Sequence, residues 1–130
     1  MGESDRNGKG SRRLSSHAER QRVERAIELY LRECYRARTV ARVSELALYL
    51  GANRTYLSRV VAALTGQSLS DTLRTRRLAY AERLLRETSL TFSEIAAAAA
   101  FGTERTLRRA FVQAFGMTLA VYRKKATKCQ

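Results

Sequence analysis

From about Ala18 onward, apolar positions return at steps of three and four. Val23, Ile27, Tyr30, Leu31 and Cys34 keep that rhythm, with Arg20, Arg22, Glu24, Arg25 and Glu28 largely opposite. The spacing predicts an amphipathic helix ending near Arg36. No proline occurs, and Gly51, Gly66, Gly102 and Gly116 mark the later breaks. The segments between them are rich in Leu, Ala, Arg and Glu, which favour helix, and strand alternation is too weak for a sheet. The prediction is an all-α chain of about seven helices near 18–36, 43–50, 54–65, 69–87, 92–99, 104–115 and 119–125. Residues 1–16, polar and basic with Leu14 as the one leucine, read as a disordered arm, and 126–130 as a tail.

The pattern also repeats. Leu46-Ala47 matches Ile95-Ala96 at a step of 49. After the next turn the step becomes 50: Leu57 with Leu107, Arg59 with Arg109, Val61 with Phe111, Gly66 with Gly116, Ser68 with Thr118 and Leu69 with Leu119. One extra residue in the second turn explains the change. Matching glycines and matching Ser/Thr caps favour two copies of one unit over two generic hairpins.

In the first copy, Ala47 is small enough for two helices to approach closely, Gly51 suits a left-handed turn, and Asn53 is a good N-cap. Leu57, Val60 and Val61 then face inward, leaving Arg54, Thr55, Ser58 and Arg59 outward with Tyr56 at the edge. In the second copy Thr91 and Glu94 form a capping box and Thr103 caps the next helix. Leu107 and Phe111 face inward; Glu104, Arg105, Thr106, Arg108 and Arg109 face out. Each copy reads as a helix-turn-helix, whose second helix fits a major groove about 12 Å wide. The plan is a first unit at 17–68, a linker helix at 69–87 and a second unit at 88–125.

Charge strengthens this reading. With 25 Lys and Arg against 12 Asp and Glu, the formal net charge is +13 and the pI is near 10.8. Such a field attracts polyanions. The basic residues are spread along the chain rather than set against a Trp/Phe face on one helix, which disfavours a membrane surface. The longest uncharged apolar run, Ile95 to Phe101, has 7 residues, whereas a span needs about 20. The first residues have no apolar export segment, and Cys34 and Cys129 read as reduced thiols of a cytoplasmic protein. Two cysteines and the single His17 offer no metal-ligand pattern, and no hydrolase, Walker-type or CxxC motif occurs. No catalytic residue, metal or cofactor is expected, and the chain is expected not to be an enzyme.

The run Arg77-Leu78-Ala79-Tyr80-Ala81-Glu82-Arg83-Leu84-Leu85 resembles the RLxxAxxLL linker-helix motif of the AraC/XylS transcription regulators. Ile95-Ala96, Phe101, Leu107, Arg109, Phe111, Gly116, Thr118, Tyr122 and Arg123 are similar to that family's second helix-turn-helix signature, and the likeness covers roughly 20–125. The resemblance implies two homeodomain-like helix-turn-helix subdomains in tandem, joined by a long linker helix. Their second helices would enter successive major-groove segments about 34 Å apart. It also implies a bacterial, nucleoid-associated activator that contacts RNA polymerase and binds as a monomer. No effector domain lies in this chain, as in the small stand-alone members; a fragment of a longer regulator is equally compatible.

Three positions depart from the family pattern. Ala100 stands where glycine is usual, Leu107 replaces an aromatic and Leu119 replaces a proline. If position 100 needs a left-handed backbone, alanine there costs about 1 kcal/mol, and Gly102 is the alternative place for it.

The residues expected to read bases are Arg54, Thr55, Ser58 and Arg59, then Glu104, Arg105, Thr106 and Arg108. Arg bonds bidentately to guanine, a Thr methyl meets the thymine methyl, and Glu accepts from cytosine; Glu104 alternatively favours the positive helix end. Arg74, Arg76, Arg109, Arg123, Lys124 and Lys125 are the expected phosphate contacts, which fix register without specifying sequence. Arg77 is expected to tie the linker helix to a carboxylate or a helix end, and Tyr56 and Tyr122 to pack with a polar rim. A non-specific basic nucleic-acid binder and a protein-interaction module are the alternatives.

Overall fold

The computed structural model describes residues 17–128. They form seven helices and no strand: α1 (His17–Ala37), α2 (Val43–Leu50), α3 (Arg54–Thr65), α4 (Leu69–Glu87), α5 (Phe92–Ala98), α6 (Glu104–Phe115) and α7 (Leu119–Lys128). The expected arm at 1–16 and Cys129 lie outside the described residues. Expected and observed helix limits agree to within a residue except at the end of α7. Nothing in Ala126-Thr127-Lys128 breaks a helix, so α7 continues through what the sequence suggested was a tail.

The chain divides into two compact units. Among the described residues the first holds 17–30 and 42–73, and the second holds 31–41 and 74–128. Residues 31–41 therefore belong with the second unit, not the first as their sequence position suggested. Two contacts with residues distant in sequence tie them there. Tyr35 stacks on Tyr80 with centroids 4.3 Å apart, and the Ala41 amide donates to the Ala100 carbonyl at 3.2 Å.

In the first unit Val23, Ile27, Tyr30, Leu46, Leu57, Val60, Val61, Leu69 and Leu73 are buried. Thr72 is buried as well, and its hydroxyl meets that of Thr65 at 3.1 Å. Helix α2 starts without a side-chain cap of its own. The Tyr30 hydroxyl does that work: it accepts from the Arg42 amide at 2.9 Å and donates to Glu45 Oε1 at 2.9 Å. In α5 the Thr91–Glu94 capping box closes directly, with bonds of 2.8 and 3.1 Å. Glu45 and Glu94 occupy matching places, so the first copy is a capping box relayed through a tyrosine.

The second unit is built around Leu78, Ala81, Leu85, Ile95, Ala96, Ala99, Phe101, Leu107, Phe111 and Leu119. Its turn reproduces the first: Ala52 N–H to Ala47 O (3.0 Å) matches Phe101 N–H to Ala96 O (2.9 Å). Gly51 and Ala100 sit at matching places with φ of 67° and 65°. The alanine is therefore left-handed, and Gly102 is left-handed too, at φ 88°. Gly102 is the extra residue of the second turn. A side chain there would meet Val40 Cγ2 at 2.8 Å, so both conformation and space require glycine.

Candidate nucleic-acid interface

Two helices of 12 residues carry the expected reading faces. At the start of α3, Asn53 Oδ1 accepts from the Thr55 and Tyr56 amides at 2.8 and 3.2 Å. At its end Gly66 is left-handed and its amide returns to Ala62 O. Leu57, Val60 and Val61 are buried and fix the rotation of the helix. Arg54, Thr55 and Arg59 are then exposed and Ser58 is half-buried, all on the opposite side. Tyr56 lies at the edge, donating its hydroxyl to Glu19 Oε2 at 3.0 Å. Burial and then that carboxylate push its pKa up.

Helix α6 is built the same way. Thr103 accepts from the Thr106 amide at 3.2 Å, its hydroxyl reaches the Thr106 hydroxyl at 3.0 Å, and Gly116 closes the far end. Leu107 and Phe111 are fully buried. Arg105, Thr106, Arg108 and Arg109 are exposed. Glu104 is half-exposed and forms an ion pair with Arg108 one turn on. Two side chains expected to read bases separately are thus each other's partners, and Glu104 also sits at the positive end of the helix.

The expected phosphate ligands divide. Arg109, Lys124 and Lys125 are exposed. Arg74 and Arg76 are half-buried on α4 and already interact with neighbours. Arg123 is engaged within its own unit. Its Nε donates to Leu85 O at 3.2 Å, Nη1 to Leu90 O at 2.8 Å and Nη2 to Thr88 O at 3.2 Å, and its guanidinium lies 5.4 Å from the Phe92 ring centroid. A guanidinium engaged by one carbonyl in the last turn of α4 and two just past its end is a C-terminal clasp, so we assign it to holding the second unit together. Arg77 has the structural role expected of it, donating to the Ala100 carbonyl just past α5. Tyr122 also packs with a polar rim: its ring meets Phe111 edge-on at 5.3 Å and its hydroxyl donates to Glu82 Oε2 at 2.6 Å.

Val112 and Gln113 were absent from the expected set. Both are exposed on α6 beside Arg108 and Arg109. Helical period alone places them there, and neither carries a charge. Among the described residues no group of three or more His, Cys, Asp or Glu is placed to hold a metal ion. No helix there is long and apolar enough to cross a membrane.

Comparison with known proteins gives consistent matches. The helix-turn-helix domain family model matches residues 46–125. The F1 operon positive regulatory protein of Yersinia pestis is 37% identical over 78 residues, 60% of this chain and 26% of that protein, so the chain spans about a quarter of that relative. The DNA-binding domain of AdpA, a global transcriptional factor solved with a target DNA, shares the fold with a TM-score of 0.74 at 24% identity, covering 83% of this chain and 95% of that one. The C-terminal domain of AraT, a response regulator from Geobacillus stearothermophilus, is 27% identical with a TM-score of 0.71, covering 80% of this chain and 84% of that one.

Proposed function

The chain belongs to the AraC/XylS family of helix-turn-helix proteins, and from that membership we propose that it regulates transcription by reading double-stranded DNA at a defined sequence. The observation that carries this reading is one device built twice. In each unit a side-chain oxygen caps a 12-residue helix, a left-handed glycine ends it, buried residues fix its rotation, and an Arg-bearing face meets solvent. One basic face serves solubility as well as binding; two faces of the same construction suit the repeated grooves of a duplex.

On DNA, α3 and α6 each take a segment of major groove. Arg59 and Arg105 pair with guanine edges, while Arg109, Lys124 and Lys125 meet phosphate. The chain acts as a monomer in the bacterial cytoplasm and activates transcription through RNA polymerase.

Selection from a random duplex library at about 150 mM salt, followed by footprinting, tests the reading. The expected result is one asymmetric site of roughly 15–20 bp with two blocks about one helical turn apart. Arg59→Ala and Arg105→Ala should each relax one block at a cost of about 1–3 kcal/mol. If both variants keep the parent's affinity and preferred sequence, the groove assignment fails. A steep salt dependence without sequence preference would make the chain a non-specific binder, the reading that a charge of +13 by itself favours.

A further inference from the structure

Helix α6 buries Leu107 and Phe111 on one side. At 3.6 residues per turn, Arg105, Arg108, Arg109 and Val112 fall at i, i+3, i+4 and i+7 on the other. Val112 is 42% exposed at the far end of this basic stripe. With Arg108, Arg109 and Gln113 it lines an open depression of about 440 Å³ whose walls are mostly apolar. Packing does not demand a branched aliphatic residue here. The matching residue in α3, fifty positions earlier, is an exposed alanine, Ala62.

The i, i+3, i+4, i+7 stripe is the set that a homeodomain recognition helix turns toward DNA. The apolar group that base edges present in the major groove is the thymine C5-methyl, and a glutamine amide pairs bidentately with adenine N6 and N7. Flanking arginines favour a polyanion over an apolar protein surface as the occupant.

Resting on the DNA-reading function above, we propose that Val112 receives a thymine methyl and Gln113 a neighbouring adenine, which extends the second unit's reading stripe one turn beyond its arginines. The preferred sequence of that block then ends in an A·T step.

The test uses the full chain and its selected site, with the second unit's block identified as the one that Arg105→Ala relaxes. Each thymine of that block is replaced in turn by deoxyuridine, which lacks only the methyl. At one thymine the parent should lose about fourfold in affinity, the effect of removing one buried carbon from an apolar contact. Val112→Ala, whose only carbon ends one bond short, and Val112→Ser should bind thymine and uracil alike at that position; Val112→Thr, which keeps a γ-methyl at valine's reach, should retain the preference. The proposal is overturned, with the DNA-reading function intact, if the parent selects a site but shows no uracil effect, if the alanine and serine variants show the same uracil effect as the parent, or if the block has no thymine. A parent with no sequence preference at all would overturn both.

Discussion

Arg77 Nη1 donates to the carbonyl of Ala100 at 3.1 Å, and its guanidinium lies 4.5 Å from the Phe101 ring centroid. The same carbonyl accepts from the Ala41 amide at 3.2 Å. One side chain thereby holds the turn that leads into α6. A hydrogen bond from a charged donor contributes about 1.5–3 kcal/mol, and a stacked guanidinium about 0.5–1 kcal/mol. Arg77→Leu should destabilise the chain by about 2 kcal/mol in urea titration. Because Ala41 still serves the carbonyl, no orphaned acceptor adds to that loss. Arg77→Lys, a point charge without the planar face, should lose less. A leucine variant as stable as the parent would remove the clasp from the account.

Ala100 adopts φ 65° with a side chain of 0% exposure. A left-handed non-glycine residue costs about 1–2 kcal/mol. Its buried methyl returns about 0.8 kcal/mol, and alanine rather than glycine saves about 0.4–1 kcal/mol of unfolded-chain entropy. The terms nearly cancel, which explains how alanine persists where glycine is usual. Ala100→Gly should change stability by less than about 1 kcal/mol, whereas Ala100→Val, branched at a left-handed and filled position, should cost more than about 2 kcal/mol. Thermal melts of the two variants check both.

Arg123 and Lys124 are neighbours that should behave oppositely. Arg123→Ala removes three bonds to carbonyls and should destabilise by about 3 kcal/mol; at temperatures where the variant is folded, its salt dependence should match the parent's. Lys124→Ala should leave the melt unchanged and reduce the slope of log K against log salt by about 1. Paired melting and salt titration of DNA binding separate the roles. A reduced slope in Arg123→Ala would return that residue to the phosphate backbone.

Tyr35 confers sensitivity to alkali. Burial pushes its phenol up to about 12 from 10.0, with the Arg77 charge opposing. The folded state therefore holds the proton after the unfolded chain has released it. The stabilisation is intact below pH 10 and is lost as pH rises toward 12. Tyr35→Phe keeps the stack on Tyr80 and should lessen the fall in urea midpoint between pH 9 and 11. Parallel curves for parent and variant would assign the alkaline loss to other groups.

Local chemistry made most of this architecture legible. Asn53, Thr91 and Thr103 announce helix starts, and Gly66 and Gly116 announce ends, because a cap acts within three or four residues of itself. The outward faces of α3 and α6 follow from Leu57, Val61, Leu107 and Phe111, whose period fixes which side is buried. What the sequence did not disclose depends on residues far apart in the chain. Arg123 looks like any cation at the end of a basic helix, yet its partners lie more than 30 residues earlier. The place of residues 31–41 in the second unit rests on contacts with Tyr80 and Ala100.

The Tyr30 hydroxyl that starts α2 sits 15 positions before the carboxylate it engages. Helix α2 has only 8 residues, too few to persist alone in water. The segment that reads as a self-contained motif, 43–65, is therefore not an autonomous module. Grafted onto another scaffold without the tyrosine-bearing helix, it would carry its arginines but lose the frame that aims them. In the intact chain α2 gains its cap only when the segment from Tyr30 to Glu45 closes on itself, which couples this small motif to the cooperative folding of its unit.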